Sequence, residues 1–301
     1  MYDLIIVGGG PAGLTAALYA RRANKSVLVL EKETFGGQIT FSPKVENIPG
    51  FTEVSGNEFA EKLVDQVLNQ GADFEMAEVQ KIIDRGETKL VKTDGEDYEG
   101  RAVIIAAGAK HRVLGLPGED ALIGSGISFC AVCDGAFYKN KTAAVIGGGN
   151  SALQEAILLS DLVKKLYVVQ NLDFLTGEQK LREQLEAKAN VEILLGHTVA
   201  GYQGENGLTG ITVKEEKTGK LKDLALDGVF LAVGLVPQNE PFADVIGLTD
   251  RGYADADETC LTKTPGVFVA GDCRSKRIRQ VATAAADGAI AALAACDYLD
   301  K

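Results

Sequence analysis

Apolar residues fall along this chain in short unbroken runs: Leu4-Ile5-Ile6-Val7, Val27-Leu28-Val29-Leu30, Ala102 to Ala107, Thr142 to Ile146, Leu166 to Val169, Gly228 to Val233 and Val267 to Ala270. Runs of that length bounded by glycine or charge predict strands buried on both faces, as in a parallel sheet covered by helices. Helix-like segments follow several of them, at Leu14 to Ala23, Leu153 to Ser160 and about Arg279 to Cys296. Phe59, Leu63 and Val67 recur at helical spacing and predict an amphipathic helix. Val79 to Ile83 and Lys89 to Thr93 alternate instead, the latter running into an Asp94-Gly95 turn, and read as half-buried strands. The whole is an α/β pattern.

Two glycine loops sharpen it. After the first strand comes Gly8-Gly9-Gly10-Pro11-Ala12-Gly13, then helix, then a second strand ending on Glu31, eighteen residues past Gly13. In a dinucleotide-binding βαβ unit the three glycines allow the tight turn (Gly8), the close approach of a pyrophosphate (Gly10) and helix–sheet contact (Gly13), while the acid holds a ribose. The helix start at Pro11 and Ala12 leaves unpaired N–H groups, from Ala12 onward, for phosphate. Gly147-Gly148-Gly149-Asn150-Ser151-Ala152 repeats the arrangement 139 residues later. Two Rossmann-like units are therefore expected, the second inserted into the first: residues 1–115 with 238–301, and 116–237. Crossings are expected near Leu116-Pro117-Gly118 and Val236-Pro237. Gly108, at the end of the Ala102 to Ala107 strand, marks a second close approach to a ligand.

With 31 basic and 42 acidic residues the net charge is −11, which disfavours nucleic acid or an anionic membrane as a partner. The most apolar stretch, Val281 to Ala295, is interrupted by Asp287 and is expected to be too short to span a bilayer. The chain opens on a strand with no leader-like segment, and its five cysteines form no disulfide framework; a cytoplasmic protein is expected. Its two histidines are far apart and distant from cysteine, so no metal site is expected.

Cys130-Ala131-Val132-Cys133-Asp134 carries the chemistry. Cysteines three apart can form half a metal site, an idle structural pair or a redox dithiol. A metal needs a second pair, and Cys260, Cys273 and Cys296 do not supply the spacing; they read as buried small residues. The redox reading is favoured, since one thiol can attack a disulfide while the other resolves the adduct, with Asp134 beside them to pass protons.

Together with Gly36-Gly37-Gln38, Glu46 to Phe51, Ala270-Gly271-Asp272 and Arg279-Gln280-Val281, these segments make the chain resemble the low-molecular-weight thioredoxin reductases over essentially its whole length. The larger disulfide reductases carry C-x4-C in the first domain, which this chain lacks. The resemblance implies FAD in the first domain. Glu31 would hold the adenosine ribose, and Gly37, Gln38 and Asn47 would line the flavin. Gly271 and Asp272 would bind the ribityl–phosphate part, and Arg279, Gln280 and Val281 would aim a helix start at the pyrimidine ring. It implies Cys130 as the interchange thiol, Cys133 facing the flavin and Asp134 as acid/base. It also implies thioredoxin or a thioredoxin-like substrate, a homodimer, and an inserted domain that turns between flavin and substrate.

One segment departs from the family. NADPH-dependent members follow the second-domain strand with H-R-R-x-x-x-R, whereas this chain has Gln170-Asn171-Leu172-Asp173-Phe174-Leu175-Thr176. A 2′-phosphate needs charge-assisted donors that are missing here. NADPH is therefore not expected; reduced ferredoxin is favoured as donor, with NADH, or reversal as a dithiol oxidase using O2, as alternatives. Arg274, Lys276, Arg277 and Arg279 offer a basic patch for an acidic partner. Outside this class stand a flavin-bound redox sensor without turnover, and a flavin-dependent ferredoxin–NADP reductase, against which the dithiol counts.

Overall fold

The computed structural model describes residues 1–42, 45–204 and 207–301. The chain forms two compact units, Met1–Lys110 with Val236–Lys301, and His111–Leu235. Both are built on parallel sheets, and the fold is the α/β class with two Rossmann-like units, one inserted in the other.

In the first unit Asp73–Met76, Val27–Glu31, Tyr2–Val7, Tyr98–Ile105 and Val267–Val269 run parallel. An antiparallel ribbon, Val79–Asp84 with Lys89–Thr93, extends the edge. The unbroken apolar runs have the predicted cause. Leu4, Ile6, Val27 and Val29 pack toward helices Pro11–Arg22 and Val281–Leu299, while Ile5, Val7, Leu28 and Leu30 pack toward Val79, Ile82, Phe242 and Val245. Helix Gly56–Asn69 is capped by Ser55, whose side chain accepts from Glu58 N, and turns Val67 into the core.

In the second unit Val191–Leu195, Lys165–Gln170, Thr142–Ile146, Gly228–Leu231 and Ile127–Ser128 form the parallel sheet. An antiparallel meander, His197–Gln203, Gly210–Glu215 and Leu221–Ala225, covers one face, and helix Asn150–Ser160 lies on the other.

The first glycine of each loop does the same work. Gly8 sits at φ +109° and Gly147 at φ +131°. A Cβ there would lie 2.3 Å from Ala106 O and 2.5 Å from Ala232 O, so no side chain fits between turn and crossing strand.

One expectation is corrected, and one boundary is placed more closely. The C-terminal helix runs Val281–Leu299, 19 residues, long and apolar enough to cross a bilayer by length and composition. Its inner face packs against Pro11–Arg22, and Asp287 is ion-paired inside the unit, as in a core helix. The first crossing lies at Lys110–His111, ahead of Leu116. The cause is Glu119, a buried carboxylate that accepts from Leu114 N, Gly115 N and Leu116 N at 3.0, 2.7 and 3.3 Å and from Tyr202 Oη at 2.6 Å. Those bonds fasten the segment before Pro117 to the second unit.

Candidate functional site

In the first unit the residues singled out from sequence converge on the glycine loop. Glu31 closes its strand, and its Oε2 accepts from Gly9 N at 2.7 Å while Oε1 accepts from Lys32 N and Glu33 N, each at 2.8 Å. Pro11 opens the helix, and Gly13 is its tight-packing residue: a Cβ there would lie 1.9 Å from Gly8 O. Gly10 is open on its Cβ side, with Gly37 Cα at 3.9 Å the nearest atom outside its neighbours. A cleft lined by Gly8, Glu31, Lys32, Ala107, Pro237 and Phe242 adjoins this loop.

Gly37 and Gln38 start a 3-10 turn, Gly37–Phe41, and Gln38 Nε2 donates to Ala109 O at 2.8 Å, bringing that turn to the Gly108 bend. Gly108 adopts φ +69° with nothing within 4 Å of where a Cβ would be. Asn47 Nδ2 donates to Gln280 Oε1 at 3.1 Å, and Gln280 is the N-cap of the helix that starts at Val281. Gly271 packs against Ala12, where a Cβ on Gly271 would lie 2.7 Å from the alanine's own. The Gly271-Asp272 turn thus reaches the first glycine loop. Asp272 Oδ1 is buried with no hydrogen-bond partner among the described residues, and burial pushes its carboxyl above the ordinary range against the pull of Lys276 and Arg279.

The basic patch expected from Arg274, Lys276, Arg277 and Arg279 is largely internal. Arg274 is 5% exposed, and its Nε and Nη2 donate to Asp287 at 3.1 and 2.9 Å. Lys276 Nζ donates to the same carboxylate at 2.9 Å, and so does Gly271 N at 3.0 Å. Burial opposes the charge on Asp287, yet these cations outweigh it and hold its carboxyl below the usual range. Arg279 lies over the Tyr253 ring and donates to Asp272 O and Arg274 O. Of the four cations only Arg277 is freely exposed. Asp287, read in the sequence as an interruption, is instead the clasp between the Gly271-Asp272 turn and the C-terminal helix.

In the second unit Cys130 and Cys133 form a disulfide across the one-turn helix Ala131–Asp134, with Cα atoms 5.3 Å apart. Cys133 N donates to Cys130 Sγ at 3.2 Å, an arrangement that favours negative charge on that sulfur once the bond opens. Asp134 is half-buried, and burial pushes its carboxyl up while Ser128 pulls it back: Ser128 Oγ donates to Asp134 Oδ2 at 2.5 Å. No sequence signal singles out Ser128. The other cysteines are buried, and burial pushes the Cys260 and Cys273 thiols up to about 12 and about 11, leaving them inert beside the exchangeable pair.

The second glycine loop differs in what stands beside it. Gln170 occupies the place of Glu31, twenty-three residues after the first glycine in each unit. It is buried, its Nε2 donates to Phe174 O at 3.4 Å, and it lies so close that a Cβ on Gly148 would be 2.6 Å away. Thr176 N and Gly177 N donate to Gly148 O, folding the segment back over the loop. Asn171, Leu172 and Thr176 are exposed and uncharged.

Residues 2–288 match the family described as pyridine nucleotide-disulphide oxidoreductase. A thioredoxin reductase of Bacillus subtilis (strain 168) is 40% identical over 302 residues, spanning 100% of this chain and 96% of its own. The crystal structure of thioredoxin reductase from Streptococcus pyogenes MGAS5005 superposes with a TM-score of 0.94 at 40% identity, covering 100% of this chain and 98% of that one. A ferredoxin-flavin thioredoxin reductase from Clostridium acetobutylicum is 29% identical, with a TM-score of 0.54 over 99% of this chain and 98% of that one.

Proposed function

The chain belongs to the pyridine nucleotide-disulphide oxidoreductase family, and from that premise we propose that it is an FAD-dependent thioredoxin-disulfide reductase working through Cys130 and Cys133. The observation that carries this reading is the disulfide at the dithiol turn with the half-buried carboxyl of Asp134 on the residue that follows its second cysteine.

The first unit suits FAD. Glu31 has free lone pairs for ribose hydroxyls, Gly10 leaves room for a pyrophosphate, and the orphaned Asp272 Oδ1 wants a donor such as a ribityl hydroxyl. Gln38, Asn47 and the helix start at Gln280-Val281 would stand around the flavin, where the N-terminal end of the helix dipole favours negative charge on the ring. When bound, FAD supplies a two-electron reductant for the disulfide.

The remaining chemistry belongs to the chain. Cys130 as thiolate attacks a substrate sulfur; the substrate S–S bond breaks and its other sulfur leaves as thiolate. Cys133 then attacks Cys130 Sγ, which restores the Cys130–Cys133 bond and releases the second substrate sulfur. Two electrons pass to the substrate, and the two protons lost by the Cys130 and Cys133 thiols go to its two sulfurs, with Asp134 as the adjacent group that carries one at a time. Thioredoxin or a thioredoxin-like protein is the substrate in this reading, and the protein acts as a cytoplasmic homodimer.

For the donor, neutral Asn171, Leu172 and Thr176 leave a 2′-phosphate without the cations it requires, and Gln170 offers no carboxylate to a ribose. A reduced ferredoxin is the donor this favours, and the likeness to a ferredoxin-flavin thioredoxin reductase supports it. The burial of Arg274 and Lys276 removes the patch first assigned to that docking, so the reading rests on the nucleotide loop and on that likeness. Anaerobic mixing of the yellow protein with NADPH, NADH or reduced ferredoxin tests it. Ferredoxin is expected to bleach the flavin and NADPH to leave it oxidised; rapid bleaching by micromolar NADPH would overturn the assignment.

A further inference from the structure

Ser128 sits on a two-residue strand, Ile127–Ser128, whose pairing with Val229 and Phe230 anchors it at the edge of the second unit's sheet. It is buried at 6% exposure. Its hydroxyl makes two hydrogen bonds. It accepts from Cys130 N at 3.1 Å and donates to Asp134 Oδ2 at 2.5 Å. The same oxygen thus touches the backbone of one cysteine and the carboxylate next to the other, while Asp134 Oδ1 is buried with no partner among the described residues.

We propose that Ser128 is a positioning residue for disulfide exchange, holding Asp134 against the dithiol turn in both of its protonation states. A hydroxyl suits that task because it carries one proton and two lone pairs. Facing a carboxylate, Ser128 donates to Oδ2 and keeps one lone pair for Cys130 N–H. Facing the protonated acid, it accepts from both the carboxyl O–H and Cys130 N–H. Asp134 can therefore gain and lose a proton without releasing its anchor or moving from the turn. The inference rests on the proposed exchange chemistry and adds to it the residue that keeps the acid/base in place.

The surroundings leave few other ionisable groups. The turn Gly135–Tyr138 that follows brings Tyr138, whose hydroxyl is pushed up by burial and by Asp134 and Asp227. Helix Asn150–Ser160, packed against the dithiol turn, carries one titratable side chain, Glu155, which burial pushes up to about 8. The strand Gly228–Leu231 beside Ser128 carries none.

The test isolates the exchange step. Holoprotein is reduced with dithiothreitol, desalted without oxygen and mixed with 5,5′-dithiobis(2-nitrobenzoate), and the rate is followed as a function of pH. Asp134→Asn should remove one limb of the profile. Ser128→Ala should move that limb to higher pH by about one unit, since the lost bond had favoured the charged carboxylate, and slow the reaction about tenfold. Ser128→Thr should restore both, Ser128→Cys should fall between, and Glu155→Gln should leave the limb where it is. If Asp134→Asn removes the limb but neither Ser128→Ala nor Ser128→Cys shifts it, the inference is overturned and the proposed function stands. A limb that survives Asp134→Asn, or that moves with Glu155→Gln, overturns the assignment of Asp134 itself and the inference with it.

Discussion

Glu31 and Gln170 hold the same place in two related loops and differ by a single atom type, yet that difference separates a carboxylate held by three backbone amides from a buried neutral amide. This contrast was legible in the sequence, because the loops and the strand ends that follow them keep equal spacing. The ion cluster around Asp287 was not. Its partners Arg274 and Lys276 stand 13 and 11 residues away, and nothing in a linear pattern distinguishes a buried guanidinium from a solvated one. Asp287→Ala would leave two buried cations without a counter-charge, and we expect a loss of about 3–5 kcal/mol in denaturant unfolding. Asp287 titrates below its ordinary value when folded, so its contribution is complete above that ordinary value and fades as pH falls through the folded one. The stability gap between wild type and Asp287→Asn should accordingly narrow in acid, as unfolding measured across that range would report.

Strands buried on both faces announced themselves as unbroken apolar runs, and the helices after the glycine loops followed from them. Their starts came earlier than the apolar spacing suggested, at Pro11 and Asn150, because the loop residues themselves supply the first turn. The meander of the second unit and helix Gln179–Glu186 escaped notice: Leu221–Ala225 buries only Leu224 and the helix only Leu185, so little apolar sequence marks either. The Leu116-Pro117-Gly118 signal marks a bend close to the division between the units. It precedes the short helix whose Glu119 gathers the preceding amides, and the boundary lies several residues earlier. Helix contact in the first unit is equally specific. A Cβ on Gly288 would lie 2.1 Å from Ala12 O, at the start of the helix that opens the cofactor loop. Gly288→Ala should cost about 1–3 kcal/mol through overpacking and should weaken FAD retention, read by thermal unfolding and by flavin released on dilution.

Taken as one chain, the protein repeats a Rossmann-like unit, equips the first copy with a carboxylate at its glycine loop and a buried acid oxygen without a partner among the described residues, and equips the second with a disulfide and with uncharged residues beside its loop. Fold class, the two glycine loops and the exchange pair could be read from residue types and spacing. The clasp at Asp287 and the hydroxyl at Ser128 could not, because each depends on which strand or helix comes to lie beside which. The decisive experiment follows electrons rather than structure. Reduced holoprotein is mixed anaerobically with oxidised thioredoxin, and the thiols appearing on thioredoxin are labelled and counted over time for wild type, Cys130→Ser and Cys133→Ser. Wild type should convert the thioredoxin disulfide to two thiols while both serine variants fail to do so with their flavin still bound. Thioredoxin that stays oxidised beside the wild-type protein, or that is reduced as fast by the serine variants, would contradict the account.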